Sequence, residues 1–202
     1  MIIDDSFRKR TLEDFKSEIY EDNKVIMEEY CLQYEAMISR HPQYNSNWRA
    51  SFLDPHRYMN WIVYSLLKKE AQNSIVIDIG IYDSCLLKTL NDNGIKCYGY
   101  EDNDWGEMYD LLGTRDMINT QGIKADIAVC LNYAHNFNPD DLILFIQERC
   151  AGSLPTILLD QDSRVTNMHS DLYYKSARDG MFDLIRFNNC KERDLFVYKG
   201  GV

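Results

Sequence analysis

The clearest pattern of apolar and polar positions lies between residues 75 and 101. Ile75–Ile79 is a short, mostly β-branched run, which predicts a strand buried on both faces. Gly80 follows where the chain must turn, and apolar residues then recur at helical spacing. Residues 97–100 predict a second strand, which ends at Glu101. Because ligands of open α/β sheets bind outside the carboxyl ends of the strands, Glu101 is well placed to accept hydrogen bonds from a ribose.

The alternation of short apolar strands and helices continues after Glu101. A final pair of strands is joined by a connection so short that the pair must be antiparallel. We therefore predict an α/β fold, a Rossmann-like, doubly wound and mostly parallel sheet of seven strands with a C-terminal antiparallel hairpin. The five later strands are expected at residues 114–120, which are brief and polar, and at 126–131, 155–160, 182–187 and 194–198.

A helical segment precedes the sheet. Thr11–Asp14 has the sequence of a capping box that opens a helix. Apolar residues continue at helical spacing as far as Ile38, which predicts one long helix or two, ending before His41.

Asp54 and Pro55 are typical of the N-cap and first position of a further helix, which leads into the first strand. We place the domain boundary there, with residues 1–54 as a helical extension and residues 55–202 as the Rossmann-like domain. The extension either packs on the sheet domain or on a partner subunit, or it forms a lid that closes the active site. A homodimer through these helices is a further expectation.

The net charge of −10 at pH 7 changes the range of expected partners. Phosphate contacts dominate nucleic-acid affinity, so an acidic chain without a Lys/Arg run makes nucleic acid an unlikely substrate.

Aromatic residues make up 12% of the chain, which is more than a disordered chain carries, so a globular protein is expected.

The six cysteines form no Cys-x-x-Cys pair, which argues against a zinc site and fits reduced, buried thiols in a cytosolic protein. The N-terminus lacks a basic region followed by an apolar core, so no signal peptide is expected. No apolar run reaches the roughly 20 residues that a membrane span needs. We therefore expect a cytoplasmic protein.

Polar residues also follow two later strands. His135 is the best general base, because histidine titrates near neutral pH, although it is equally well explained as a structural residue bonded to a backbone carbonyl. Tyr133 beside it would form a pocket wall. Asp160 and Asp162, with Asn132, could bind a divalent cation, but a solvated loop is the plainer interpretation, and we predict no metal.

Three motifs within residues 55–199 carry a resemblance to a known family. Residues 76–80 (Val-Ile-Asp-Ile-Gly) and 98–101 (Tyr-Gly-Tyr-Glu) resemble the first and second motifs of the class I S-adenosylmethionine-dependent methyltransferases. Residues 125–135 resemble the fourth-strand motif of many small-molecule methyltransferases, in which a histidine often follows the strand. The resemblance implies S-adenosylmethionine as cofactor and S-adenosylhomocysteine as product.

The resemblance also implies roles for individual residues. Asp78 would orient the amino group of the methionine portion, and the backbone at Gly80 would pass beneath that portion. Glu101 would bind both ribose hydroxyls, and Asp102 would lie near the adenine. Asp116 would face the adenine amino group.

The fourth-strand motif would serve both cofactor and acceptor. Asn132 would face the cofactor, and Tyr133 and His135 would be the catalytic residues. The resemblance implies a small-molecule acceptor with a hydroxyl or amine, such as a sugar or secondary metabolite. The strand end also lacks the Asn/Asp-Pro-Pro-Tyr/Phe motif of enzymes that methylate amino groups of bases.

The first motif departs from the family pattern of three alternating glycines. Gly80 is present, but Tyr82 and Ser84 stand at the second and third glycine positions. Glycine is used there because the backbone approaches the ligand closely, so Tyr82 would have to point its side chain away while its backbone binds the cofactor. The alternative function is a catalytically inactive methyltransferase-like fold that acts as a binding or scaffold subunit.

Overall fold

The structure is a computed structural model that describes residues 3–40, 57–103, 106–162, 168–187, 190 and 192–199. Six strands in this part of the chain form one sheet in the order β2-β1-β3-β4-β6-β5. The strands are β1 (Val76–Ile79), β2 (Cys97–Tyr100), β3 (Ile127–Cys130), β4 (Thr156–Asp162), β5 (Asp183–Ile185) and β6 (Arg193–Tyr198).

The sheet is mostly parallel. β1 pairs in parallel with β2 on one side and with β3 on the other, and β3 pairs in parallel with β4. Of the six described strands, only β6 runs the other way, between β4 and β5. Since the chain leaves β1 toward β2 and later returns to the opposite side, the strand order reverses at β1 and β3. That switch point is where open α/β sheets form a ligand crevice.

The prediction of a strand at residues 114–120 is wrong, and the sheet has six described strands instead of seven. Arg115–Met117 forms a single 3-10 turn, and Ile118 makes one isolated parallel bridge to Gly99. The Asn119 side chain then replaces strand pairing, because it accepts a hydrogen bond from the Glu101 N–H at 3.2 Å and donates one to the Glu101 carbonyl at 3.0 Å. This polar stretch therefore completes the edge of β2 without forming a strand.

Helices cover both faces of the sheet. One apolar cluster joins Val76, Val129 and Leu158 to the N-terminal helices, and the opposite cluster joins Ile77 and Ala128 to the later helices. The helices are α1 (Asp5–Arg8), α2 (Leu12–Asp22), α3 (Lys24–Arg40), α4 (Met59–Glu70), α5 (Cys85–Asp92), α6 (Gly106–Leu112), α7 (Pro139–Arg149) and α8 (Met168–Arg178).

The predicted N-terminal segment forms two main helices, α2 and α3. The capping box is confirmed, since Thr11 and Asp14 bond each other's backbone N–H groups. Phe15 and Ile19 of α2 are fully buried, and α2 packs on α4. The Ser65 hydroxyl of α4 donates to the Glu18 carboxylate of α2 at 2.8 Å.

The described part of the extension therefore shares the core of the sheet domain. The boundary at Asp54 and Pro55 lies outside the described residues. The dimer contact through these helices stays a prediction. Val25 and Leu32 of α3 are apolar side chains with exposed fractions of 76% and 72%.

The thiols follow the sequence prediction of buried, unpaired cysteines. Cys85, Cys97, Cys130, Cys150 and Cys190 are free and buried. In the described ranges, no helix combines the length and the hydropathy that a bilayer crossing requires.

We expect Phe15→Ala to lower the free energy of unfolding by about 3–5 kcal/mol, because the Phe15 ring is fully buried against Phe7 and Phe187. Urea denaturation of the full chain measures this loss. Val25→Ala, on an exposed position, should change stability by less than about 0.5 kcal/mol. A Phe15→Ala loss below about 1 kcal/mol would show that α2 is not part of the core.

Candidate functional site

The turn after β1 adopts a left-handed backbone at three alternate residues. The φ angles are +76° at Gly80, +53° at Tyr82 and +57° at Ser84. These are the positions at which the resemblance implies glycines, and all three have a left-handed backbone although Tyr82 and Ser84 carry side chains. A non-glycine residue pays about 1–2 kcal/mol for this conformation.

Specific contacts hold the strained turn in place. The Gly80 N–H donates to the Tyr100 carbonyl at 2.8 Å, and the Tyr82 N–H donates to the Glu101 carboxylate at 3.1 Å. The Ser84 hydroxyl lies 2.7 Å from the Thr114 hydroxyl. The Tyr82 side chain is covered by the Arg57 guanidinium, 4.0 Å from the ring centroid.

Three carboxyl groups are buried beside this turn. Asp78 at the end of β1, Asp83 in the turn and Glu101 after β2 are 4%, 1% and 7% exposed. Burial, followed by the nearby charges of Glu101 and Asp83, raises the pKa of Asp78 to about 7. The crevice therefore concentrates negative charge that a cationic group would relieve.

Glu101 is anchored by its neighbours. Its Oε1 atom accepts hydrogen bonds from the Asp102 N–H at 3.1 Å, the Asn103 N–H at 3.2 Å and the Asn103 side-chain amide at 3.1 Å. Together with the Tyr82 N–H on Oε2, these bonds fix the carboxylate between β2 and the turn. The predicted ribose-binding acid is thus rigidly held at the carboxyl end of β2.

Tyr133 covers the turn from the opposite side of the switch point. A Cβ atom placed on Gly80 would lie only 2.5 Å from Cγ of Tyr133, so the ring packs directly on the glycine backbone. The Tyr133 hydroxyl donates to the Asp102 carboxylate at 2.5 Å. Burial, and then this hydrogen bond, raises the pKa of Tyr133 well above its usual range, so the phenol stays protonated and cannot act as a base near neutral pH.

A second polar group lies where β3 and β4 end. Asn132 has a left-handed backbone (φ +56°), and its N–H donates to the buried Asp160 carboxylate at 2.7 Å. Asp160 also forms an ion pair with Arg193 of β6. His135 lies at the surface nearby, where partial desolvation lowers its pKa despite the opposing charge of Asp160.

Three buried side-chain atoms near these strand ends have no hydrogen-bond partner within the described ranges. They are Nδ2 of Asn132, Nε2 of Gln161 and Nδ1 of His169. Unpaired buried polar atoms are costly, and they are expected where a ligand or ordered water completes the site.

The sequence left open a divalent cation at Asp160, Asp162 and Asn132 as an alternative to the prediction of no metal. Within the described residues, no group of three or more His, Cys, Asp or Glu residues is placed to hold a metal ion. Asp160 is engaged by Arg193 and by the Asn132 N–H, and the Asp162 side chain lies outside the described part of the structure.

A cavity of about 350 Å³ opens beyond Glu101. Glu101, Asp102 and Asn119 are among the residues that line it. Asp116 lies on the exposed 3-10 turn and is not part of this lining.

The sequence-predicted residues thus fall into three places. The residues around the turn are Asp78, Gly80, Tyr82, Glu101, Asp102 and Tyr133. Asn132 and His135 lie at the ends of β3 and β4. Asp116 lies on the exposed 3-10 turn, apart from both groups.

Sequence reasoning missed Arg57, Arg193 and Gln161. Arg57 precedes α4 and meets Tyr82 only in the folded chain. Arg193 reaches Asp160 through the antiparallel register of β4 and β6. The only sequence signal for Gln161 was its place beside Asp160 at the end of a predicted strand.

No family model and no curated protein matches the sequence. Similar solved structures include magnesium protoporphyrin IX methyltransferase from Synechocystis with bound SAM, which is 15% identical, has a TM-score of 0.53, and matches over 89% of this chain and 97% of that chain. A TehB-like SAM-dependent methyltransferase from Corynebacterium glutamicum is 14% identical with a TM-score of 0.48, over 75% and 98% of the two chains. On the first of these likenesses and the strand order above, this chain has the fold of the class I S-adenosylmethionine-dependent methyltransferases.

Proposed function

We propose that this protein is an S-adenosylmethionine-dependent methyltransferase that acts on a hydroxyl or amine of a small-molecule acceptor. The observation that carries the proposal is the acidic crevice at the switch point, where Asp78, Asp83 and Glu101 are buried beside a left-handed turn. The magnesium protoporphyrin IX methyltransferase with bound SAM has the same fold and supports the choice of cofactor.

The residues present fit this cofactor. Its methionine portion carries an ammonium and a sulfonium, and Asp78 offers a buried carboxyl whose pKa is raised to about 7 by burial and by the charges of Glu101 and Asp83, so that a bound cation would favour its ionised form. Glu101 stands at the end of β2, where a ribose would be bound. The cavity of about 350 Å³ beyond Glu101 provides room for the adenine.

The cofactor supplies a methyl group already activated by the sulfonium, so the protein contributes mainly positioning and a base. His135 suits the role of base, because its lowered pKa keeps the imidazole neutral at pH 7. Tyr133 stays protonated and would act as a wall and hydrogen-bond donor. The unpartnered atoms of Asn132 and Gln161 could bind the polar part of the acceptor.

A binding or scaffold protein is the second candidate function. The observation that favours it is the packing of Tyr133 on Gly80, which closes the crevice at the point where the methionine portion would lie. The two candidates differ in their affinity for the cofactor and in the importance of Glu101.

Calorimetric titration with S-adenosylmethionine and S-adenosylhomocysteine should give micromolar dissociation constants, and Glu101→Gln should weaken both by roughly 10- to 100-fold. The reason is that hydrogen bonds from ribose hydroxyls to a charged carboxylate are stronger than those to an amide.

The matched control is Glu148→Gln, which removes the same charge from an exposed position on α7. Unfolding curves of both variants show whether the Glu101 loop remains folded. No heat with either ligand, in a folded protein, would reject the methyltransferase and favour the scaffold.

The affinity for S-adenosylmethionine should rise with pH and level off above pH 7. Asp78 is largely protonated below its pKa of about 7, and a bound cation favours the ionised carboxylate, so binding releases a proton. The dissociation constant should fall by up to about tenfold per pH unit below pH 7. Asp78→Asn should remove this dependence.

Titrations at pH 6, 7 and 8 in two buffers with different ionisation enthalpies count the protons released. Proton uptake, or the same pH profile in wild type and Asp78→Asn, would contradict the assignment of Asp78 as the partner of the cation.

A further inference from the structure

The contacts that hold Tyr133 over Gly80 extend beyond the crevice. The two oxygens of the Asp102 carboxylate accept hydrogen bonds from two tyrosines, Oδ2 from Tyr133 at 2.5 Å and Oδ1 from Tyr100 at 2.7 Å. A carboxylate fixed at one oxygen presents the other in a fixed direction. Tyr100 therefore sets where Asp102 meets the Tyr133 hydroxyl.

Arg149 in turn fixes Tyr100. Its Nη2 atom donates to the Tyr100 hydroxyl at 2.9 Å, and its guanidinium lies 4.3 Å from the centre of the Tyr100 ring. The hydrogen bond leaves the Tyr100 proton free to point toward Asp102. Arg149 is the last residue of α7 and lies on the exposed surface.

Aromatic contacts join the same two tyrosines by a second route. Ring centres are 5.7 Å apart for Tyr133 and Phe137, 5.1 Å for Phe137 and Phe145, and 5.4 Å for Phe145 and Tyr100. Contacts of this kind stabilise one arrangement of the rings. The closed position of Tyr133 is thus supported from both its hydroxyl and its ring.

This closed position excludes any ligand that contacts the Gly80 backbone. The Tyr133 ring already occupies the space that even a single carbon on Gly80 would need. Ligand binding there must displace Tyr133, and the apparent affinity falls with the fraction of molecules in which the ring has moved away.

We propose that Tyr100 and Arg149 are positioning residues that hold Asp102, and through it Tyr133, in the closed position over Gly80. Tyr100 and Arg149 thereby weaken the binding of the ligand that contacts Gly80. A change outside the crevice that loosens either residue strengthens that binding. The identity of that ligand as the methyl donor or its product rests on the proposed function.

Calorimetric titration with S-adenosylhomocysteine tests this proposal. Tyr133→Phe and Tyr100→Phe each remove one hydroxyl and keep the ring, and each should tighten binding by about three- to tenfold, the usual range for one net hydrogen bond. Tyr98→Phe, on the same strand and outside this network, is the matched control and should leave the affinity unchanged.

The double variant Tyr133→Phe/Tyr100→Phe separates positioning from a merely structural role. If Tyr100 acts through Asp102 on Tyr133, the double variant binds no tighter than Tyr133→Phe alone. Additive effects, or weaker or unchanged binding by Tyr100→Phe, would overturn the proposal.

Stopped-flow binding supplies a second readout. The observed rate for wild type should level off at high ligand concentration, because opening of Tyr133 becomes limiting. Tyr100→Phe should raise that plateau, and so should Arg149→Met, which keeps an apolar side chain over the rings. A rate that rises linearly with ligand concentration, at the same slope in all variants, would contradict the proposal.

The outcomes also separate this inference from the proposed function. Binding that is lost in Glu101→Gln but indifferent to Tyr100→Phe overturns only the positioning role. If wild type and all variants fail to bind S-adenosylhomocysteine, both proposals are rejected.

Discussion

The candidate site depends on a turn that is left-handed at Gly80, Tyr82 and Ser84. This turn directs α5 away from the end of β1 and brings the Tyr82 N–H to the Glu101 carboxylate. It also leaves the Gly80 backbone open to contact from the β3 side, where Tyr133 packs on it. The five residues from Gly80 to Ser84 therefore link the ends of β1, β2 and β3 at the crevice.

The buried acids follow from that geometry. Asp78 points to the same side of the sheet as Val76, next to Asp83 and Glu101, and loses most of its solvation. Its raised pKa means that the folded protein holds a proton that the unfolded chain releases at lower pH. The Asp78 contribution to stability therefore falls as the pH rises from the usual carboxyl range to about 7. A cation bound beside Asp78 would reverse this loss.

The sequence predicted the elements that a local repeat of apolar residues, or a cap or turn residue, specifies. The β1–α5–β2 unit, the capping box at Thr11 and the antiparallel last pair were recognised because apolar spacing and turn residues specify them. The strand at residues 114–120 was wrong because Asn119 satisfies the backbone of Glu101 with its side chain, which no periodicity reveals.

The site was predicted less completely than the fold, for a similar reason. The sequence singled out Glu101 and Asn132 as candidate site residues because they directly follow predicted strands. The link from Arg149 through Tyr100 to Asp102 depends on a helix end and a strand lying side by side, although the residues are 49 apart in the chain. The packing of Tyr133 on Gly80 likewise requires the parallel order of β1 and β3.

The distribution of strain bears on the choice between an enzyme and a scaffold. Gly80 has a left-handed backbone and no room for a side chain, so Tyr133 alone would require glycine there, with or without a ligand. Tyr82 and Ser84 are different, because each keeps a left-handed backbone at a cost of about 1–2 kcal/mol that glycine would avoid. Asp78 adds the cost of a buried carboxyl. Such costs gather where a site binds something, since a purely structural turn gains nothing from them. Their concentration in one crevice favours ligand binding there, so affinity for the cofactor is the property that separates an enzyme from a scaffold. In the described ranges, the buried unpaired atoms of Asn132, Gln161 and His169 favour a second ligand at the ends of β3 and β4.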